Sequence, residues 1–178
     1  MGSLRTATMP RLMADRRAFP LAELRWRGQF WAGRRLAFMK YRAATLDDCP
    51  RLAELNHQLI RDEGHRNAMT LLELEQRMRS WLSGEYRAVV YEDAGQVVAD
   101  ALFREQEQEI YLRQLFVVRH RRNQGIGRRA VEILRSQVWP QNKRLTVEVL
   151  TANKRAVSFW RSVGYADYSL SLEIMPET

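Results

Sequence analysis

A single α/β domain is the fold that this 178-residue sequence predicts. The length suits one compact domain with a real core and is too short for two ordinary ones. Three successive strand-like runs predict an antiparallel meander, after which the hydrophobic period becomes that of a helix and then of a strand again. The sheet is therefore expected to be mixed and mostly antiparallel, with a central, right-handed parallel β-α-β unit flanked by helices.

Two helices are predicted early in the regular part of the chain, after a short strand over residues 39–44. Both begin with a capping box, a threonine followed three residues later by an acid, and both end at a glycine. The capping pairs are Thr45–Asp48 and Thr70–Glu73, and the glycines are Gly64 and Gly84. The lone Cys49 lies on the apolar side of the first helix, so we expect a small buried hydrophobe.

The remaining elements are predicted in the same way, from hydrophobic period and from the residues that begin or end each element. Strands are predicted over residues 86–92, 96–105, 109–118 and 144–150, and an amphipathic helix over residues 126–138. A short helix begins after Asn153 as its cap and ends at Gly164. A last strand is predicted from the alternation of Leu170, Leu172 and Ile174. The order is thus β-α-α-β-β-β-α-β-α-β.

The positive charge of the chain is concentrated in residues 1–38, a basic accessory extension. This segment holds eight arginines and two acids, or +6 of the net charge of +8, and so leaves +2 for the remainder. A nucleic-acid partner is therefore not expected of the domain itself, although the basic arm could guide one. A helix packed on the domain, a solvated tail, a targeting peptide and sequence upstream of a natural start at Met39 remain open interpretations.

Composition excludes a membrane-spanning protein. Hydrophobic residues make up 46% and charged residues 28% of the chain, and no run approaches the roughly 20 apolar residues that a bilayer requires. One cysteine permits no internal disulfide. We expect a cytoplasmic protein without a membrane partner. The sequence leaves the oligomeric state open, a homodimer included.

The segment from Leu115 to Val131 joins a predicted strand, a basic stretch, two glycines and a helix. Glycines let backbone N–H groups approach an anion closely, and the helix N-terminus adds partial positive charge. The loop therefore predicts a phosphate or pyrophosphate site, with a solvated basic loop as the alternative. Fixed positive charge around it comes from Arg119, Arg121, Arg122, Arg128 and Arg129.

A dinucleotide site competes for the same glycines. Gly125, Gly127 and Ala130 fit the G-x-G-x-x-A fingerprint, with Glu148 near the expected acidic position. In that fingerprint the first glycine follows the strand almost directly, whereas residues 119–124 intervene here. Only one further helix and strand follow Leu150, too few for a doubly wound sheet. We therefore favour another kind of phosphate loop.

The loop resembles the Q/R-x-x-G-x-G/A signature of the GNAT family of N-acetyltransferases, and it lies between a strand and a helix as in that family. The matching residues are Arg122, Asn123, Gln124, Gly125, Ile126 and Gly127. The segment from Asn153 to Gly164 and Tyr165 is similar to the family's second conserved region. The resemblance covers Met39 to about Ile174 and implies a GNAT domain over residues 39–178.

The resemblance implies acetyl-CoA as the co-substrate, with its pantetheine arm in a gap between the strand before the loop and the strand after its helix. Pyrophosphate contacts would come from Arg122 through Gly127 and from Arg128. The remaining positions that match cofactor contacts are Phe116, Val117, Val118, Asn153, Phe159 and Trp160.

The resemblance also implies direct transfer of the acetyl group to an amine, with a backbone N–H near Val117 stabilising the oxyanion. The family's tyrosine general acid falls at Trp160, and indole cannot protonate a thiolate, so Tyr165 becomes a candidate. The family's strand carboxylate falls at Tyr111, and Glu109 on the same strand face is a candidate base. Packing of Tyr165 and a solvated strand end at Glu109 are the competing interpretations.

Substrate contacts are expected between the first two helices from Asp62, Glu63 and His65, of which the two acids could attract a cationic amine. An exposed polar loop is the alternative. No His, Cys or carboxylate spacing predicts a metal site. The predicted function is N-acetylation of a small molecule or protein amine. Because the family's two catalytic positions hold other residues, an acyl-CoA sensor without turnover is the alternative.

Overall fold

The computed structural model describes residues 39–176, so the predicted basic extension over residues 1–38 lies outside the described residues. Within residues 39–176, five strands and four α-helices follow one another in the predicted order up to the last helix. They are β1 (Lys40–Ala43), α1 (Cys49–Glu63), α2 (Leu71–Ser83), β2 (Tyr86–Asp93), β3 (Gln96–Glu105), β4 (Glu109–Val117), α3 (Ile126–Ile133), β5 (Arg144–Val147) and α4 (Lys154–Ser162). A π-helical segment, Leu134–Val138, continues α3.

Both predicted capping boxes are confirmed. The Thr45 N–H donates to Asp48 Oδ2 at 2.8 Å, just before a short 3-10 turn that leads into α1. At α2 the Thr70 N–H donates to Glu73 Oε2 at 2.7 Å, and the Glu73 N–H donates back to Thr70 Oγ1 at 3.3 Å. These bonds satisfy N–H groups that a helix start would otherwise leave open, and they set where the two helices begin.

The sheet has the order β1-β2-β3-β4-β5, and its first three pairings are antiparallel. The turn between β2 and β3 holds Ala94 and Gly95 at positive φ, as a two-residue type I′ turn requires. Strands β4 and β5 are parallel, with α3 between them in the chain. The predicted mixed sheet and its parallel β-α-β unit are confirmed.

The predicted last strand is wrong. Residues 165–176 form no strand, and Leu170, Leu172 and Ile174 are 65%, 85% and 99% exposed. Alternation produces a strand only where a sheet edge pairs with it, and here β5 is four residues long and pairs with β4 alone among the described strands. The parallel pair therefore lies at the edge of the described sheet.

Helices cover both faces of the sheet. On one face α3 is tied to β2, because the buried Tyr91 hydroxyl donates to the Ala130 carbonyl at 3.1 Å. On the other face, side chains from α1, α2, β2 and β3 form a cluster, in which Cys49 is fully buried as predicted. The members of this cluster are Cys49, Leu52, Met78, Tyr86, Ala88, Val90 and Leu102. No helix in the described range is long and apolar enough to cross a membrane.

A chain of polar side chains runs through the apolar layer between the two N-terminal helices and the sheet. Arg77 Nη2 donates to Asn56 Oδ1 at 2.8 Å, Asn56 Nδ2 to Gln114 Oε1 at 2.6 Å, and Gln114 Nε2 to Asp100 Oδ2 at 2.7 Å. Asp100 is fully buried on β3, and its Oδ1 has no partner among the described residues. Burial raises the pKa of Asp100 to about 7, although the bond from Gln114 acts in the opposite direction.

We expect Asp100 to make stability depend on pH. Between its ordinary pKa of 3.8 and its native value of about 7, the folded chain binds a proton that the unfolded chain has released. The free energy of unfolding therefore falls as pH rises through this window, by up to about 4 kcal/mol from this group. Asp100→Asn keeps an acceptor for Gln114 and removes the titration.

Urea unfolding at pH 4.5, 6 and 8 checks this expectation. The difference in unfolding free energy between wild type and Asp100→Asn should shift in favour of the variant as pH rises. Asp47→Asn, at an exposed carboxyl on the 3-10 turn before α1, is the control and should track the wild type. Parallel pH curves for wild type and Asp100→Asn would show that Asp100 is ionised in the native protein throughout.

Candidate active site

Strands β4 and β5 separate part of the way along β4. Their register ends with Leu112 opposite Val147, and β4 continues to Val117 while β5 ends. Residues 113–117 of β4 therefore have no strand beside them on that edge, in the part of the chain that the structure describes. Unpaired backbone N–H and C=O groups on a strand edge can bind an extended ligand by main-chain hydrogen bonds.

The loop after β4 delivers the N-terminus of α3 to the end of this gap. Asn123 and Gly125 both have positive φ, of 61° and 83°, and Gly125 is the N-cap. No side chain caps this helix, and Arg129 is the first residue whose N–H donates within it, to the Gly125 carbonyl at 3.0 Å. The N–H groups of the first turn are thus available to an anion, which the helix dipole also favours.

Gly127 is required by the close approach of α4. A Cβ at this position would lie 3.2 Å from two atoms of the Phe159 ring. Two further contacts join the loop region to α4, since Arg155 donates to Asn123 Oδ1 at 2.9 Å and Arg128 to Ser162 Oγ at 3.3 Å. The predicted loop residues and the predicted apolar wall at Phe159 are therefore neighbours.

Arg122 is held in place from three sides. Its Nε donates to the Val117 carbonyl at 2.9 Å, its guanidinium lies 5.0 Å from the centre of the Phe116 ring, and its Nη2 donates to Asp62. Arg119 pairs with the same carboxylate. Burial raises the pKa of Asp62, but the two guanidiniums outweigh it and hold the pKa below its ordinary value. Asp62, predicted as a substrate contact, is thus an ionised partner of two arginines in the loop before α3.

Two other residues predicted to contact substrate lie beyond Asp62 at the end of α1. Glu63 is half-buried, and burial together with the charge of Asp62 raises its pKa. His65 is exposed, and its Nδ1 accepts a hydrogen bond from the Asn67 N–H at 3.1 Å. No hydrogen bond or ion pair joins Glu63 or His65 to the predicted catalytic residues within the described range.

Asn153 caps α4 as predicted, because its Oδ1 accepts from the Ala156 N–H at 3.0 Å. Trp160, farther along the helix, is 8% exposed and packs edge-on against Phe159 and Tyr165, with ring centres 5.0 and 5.2 Å apart. The Tyr165 hydroxyl is buried without a hydrogen-bond partner among the described residues. Burial raises its pKa to about 12, so it stays protonated at neutral pH.

The other two catalytic candidates lie on β4 and bind side chains from β5 and its continuation. The Tyr111 hydroxyl donates to Glu148 Oε2 at 2.9 Å, and burial, with Glu148, raises the pKa of Tyr111 to about 12. Glu109 forms an ion pair with Arg144 at 2.5 Å. No hydrogen bond connects Tyr165 with either residue in the described structure.

The structure adds Glu148 to the site residues, a residue that the sequence suggested only as a ribose acid. Its place between Val147 and Val149 in an alternating strand pattern put it on the polar face, but its partner Tyr111 is 37 residues away. The network through Asp100 was also missed. A charged residue inside the apolar run 97–103 was the available signal, since an unpaired acid is almost never fully buried.

The GNAT class of acetyltransferase folds has a mixed sheet with two diverging parallel strands. A glycine loop and a helix connect these two strands, as they do here. The family model described as an acetyltransferase (GNAT) domain matches residues 54–173, about two thirds of the chain. The chain therefore belongs to the GNAT family, and the predicted family is confirmed. Its general activity is acyl transfer. Comparison with curated protein sequences found no match.

Solved structures of the same fold agree at low sequence identity. A possible acetyltransferase from Clostridium difficile is 16% identical with a TM-score of 0.63, over 78% of this chain and 99% of that one. A predicted acetyltransferase with acetyl-CoA from Clostridium acetobutylicum is 17% identical with a TM-score of 0.60, over 78% and 96%. An aminoglycoside 6'-N-acetyltransferase from Acinetobacter haemolyticus is 14% identical with a TM-score of 0.60, over 79% and 99%.

The contact between Gly127 and Phe159 predicts an unfavourable coupling. Alanine at a helical glycine normally stabilises a protein by up to about 1 kcal/mol, but here its Cβ would press on the ring at 3.2 Å. We expect Gly127→Ala to be less favourable in the wild type than in a Phe159→Leu background, by about 1–2 kcal/mol.

Urea unfolding of the two single variants and the double variant measures this coupling. Gly127→Ala with Trp160→Phe is the matched control, because Trp160 is the next residue of α4 and none of its atoms is among the three nearest to the added Cβ. Additive effects of Gly127→Ala and Phe159→Leu on the free energy of unfolding would show that the Phe159 ring moves aside without destabilising the protein.

Proposed function

We propose that the protein is an acetyl-CoA-dependent N-acetyltransferase. The observation that supports this most directly is the divergence of β4 from β5 beside an uncapped helix start. An extended polyamide arm with a pyrophosphate at one end matches both features, because the first offers backbone hydrogen bonds and the second an anion site. The structurally similar protein from Clostridium acetobutylicum was crystallised with acetyl-CoA.

The phosphate end of acetyl-CoA would bind the first turn of α3 and the loop before it. The N–H groups from Asn123 to Arg128 would donate to the pyrophosphate, with Arg122 and Arg128 adding positive charge. Asp62 already pairs with Arg119 and Arg122, so it neutralises part of the loop's charge. The ligand would therefore compete with this carboxylate for the two guanidiniums.

The pantetheine arm would lie along the unpaired edge of β4. Of the three positions that match the family's contacts, the Val117 carbonyl already accepts from Arg122 and the Val118 N–H donates to the Val98 carbonyl at 3.0 Å. Phe116 is buried beneath Arg122. The Asn153 side chain and the Phe159 ring would close the other side of the gap.

The reaction would join the acceptor nitrogen to the acetyl carbon and break the thioester C–S bond, yielding an N-acetylated amine and the CoA thiol. A backbone N–H near Val117 would stabilise the oxyanion. Glu109 would accept the amine proton, directly or through water. Its carboxylate would then contact both Arg144 and the substrate amine. Tyr165 would supply the proton to the thiolate, since its hydroxyl is protonated at neutral pH and has no hydrogen-bond partner among the described residues.

An acyl-CoA sensor without turnover is the second candidate, and the burial of Trp160 against Phe159 and Tyr165 favours it. Thiol release from acetyl-CoA with a broad panel of amines separates the two candidates. Steady turnover with any amine excludes the sensor. Tight binding of acetyl-CoA without turnover excludes the transferase. The full chain and a chain that starts at Met39 should be compared, because the role of residues 1–38 and a cytoplasmic location stay predictions.

We expect Gly125→Ala to weaken acetyl-CoA binding about tenfold. The φ of +83° at Gly125 is unfavourable for alanine by about 1–2 kcal/mol, and relief of this strain would move the N–H groups of the first helical turn. Isothermal titration with acetyl-CoA measures the dissociation constant.

Gly95→Ala is the matched control for this variant. Gly95 has a φ of +77° in the β2–β3 turn, so the substitution introduces a similar strain away from the loop. Its unfolding free energy should fall while its affinity for acetyl-CoA stays that of the wild type. Equal affinities for Gly125→Ala and wild type would contradict a pyrophosphate site at this helix start.

A further inference from the structure

Two guanidinium groups stack on one indole ring at the face of the sheet that α1 and α2 cover. Arg77 on α2 lies 4.6 Å from the centre of the Trp81 ring, and Arg113 on β4 lies 4.9 Å from it. Arg113 is placed there by a β-bulge, because Gln114 pairs with Leu102 and Leu112 with Phe103. The extra residue in the bulge thus faces a helix rather than a strand.

These two cations have no anionic partner in the described part of the chain. Arg77 donates Nη2 to Asn56 at 2.8 Å and Nη1 to the Met69 sulfur at 3.0 Å, while its Nε is buried without a partner. Arg113 is exposed and forms no ion pair with a described residue. Burial and the charge of Arg113 lower the pKa of Arg77. An anion beside the two guanidiniums would offset both the desolvation of Arg77 and the repulsion between the two positive charges.

The pair lies beside the strand segment where the proposed reaction would occur. Arg113 is two residues beyond Tyr111 on β4 and is the first residue past the end of the β4–β5 pairing. Ring and guanidinium contacts connect it to Tyr111: the Trp81 and Tyr86 ring centres are 5.2 Å apart, and the Arg104 guanidinium lies over both Tyr86 and Tyr111. The two guanidiniums therefore adjoin the strand segment where the donor and acceptor would meet.

We propose that the acceptor is an amine that also carries a carboxylate, such as an amino acid or a short peptide, and that Arg113 and Arg77 bind this carboxylate beside Trp81. This inference rests on the proposed function and deepens it. Guanidinium forks match a carboxylate in shape and charge. Aminoglycosides, the acceptors named for one neighbouring fold, carry several ammonium groups instead, and these would be repelled here.

The test measures thiol release from acetyl-CoA with alanine, lysine and alanyl-alanine, each beside its C-terminal amide, and with an aminoglycoside. We expect the KM of each carboxylate to be about tenfold or more below that of its amide, as for a charged hydrogen bond. Arg113→Gln should abolish this preference by raising the KM of the carboxylates alone. The KM for acetyl-CoA should stay unchanged.

Arg79→Gln is the matched control, because Arg79 lies on the same helix as Arg77 and pairs with Glu75 instead of Trp81. It should leave the preference for carboxylates intact. Equal KM values for acids and amides in the wild type, or equal effects of Arg79→Gln and Arg113→Gln, would overturn the proposal.

The transferase function and the carboxylate site can be rejected independently of each other. If no amine is acetylated, the transferase function fails, and isothermal titration with alanyl-alanine and its amide then decides the carboxylate site. Tighter binding of the acid, lost in Arg113→Gln, supports the site even without turnover. Equal binding of acid and amide, or binding of neither, rejects it.

Discussion

The early end of the pairing between β4 and β5 is the constraint on which the proposed site depends. A parallel pair that stops at Leu112 and Val147 leaves the rest of β4 with an unpaired edge. The loop that follows must then turn back toward this gap, which it does through positive φ at Asn123 and Gly125. An unpaired strand edge and an uncapped helix start thus lie side by side, and in the proposed function one ligand contacts both.

Charge around the gap is divided into three groups with different partners. The loop arginines Arg119 and Arg122 share Asp62, and Arg144 pairs with Glu109 across the two strands. Arg77 and Arg113 share an indole ring and lack an acid among the described residues. Paired charges are largely neutralised before a ligand arrives, so guanidiniums without an acid offer an external anion more positive charge than the paired ones do.

Buried polar groups hold the helical layer in register with the sheet. The bonds from Arg77 through Asn56 and Gln114 to Asp100 join four elements and end at a fully buried carboxyl. The same network orients Arg77, whose Nη1 donates to the Met69 sulfur and whose guanidinium lies over the Trp81 ring. Polar groups of this kind have few alternative partners in an apolar layer, so they favour one arrangement of the helices over neighbouring ones.

Local sequence by itself determined the helix starts, the meander and the glycine loop before α3, because capping pairs, turn glycines and hydrophobic period act over a few residues. Tertiary structure alone decided the partners of Asp62, Asp100 and Tyr111, since each lies beside residues from distant elements. It also decided that the alternating residues 170–174 form no strand, because a strand depends on an edge that pairs with it. Contacts between distant segments leave no periodic signal in the chain.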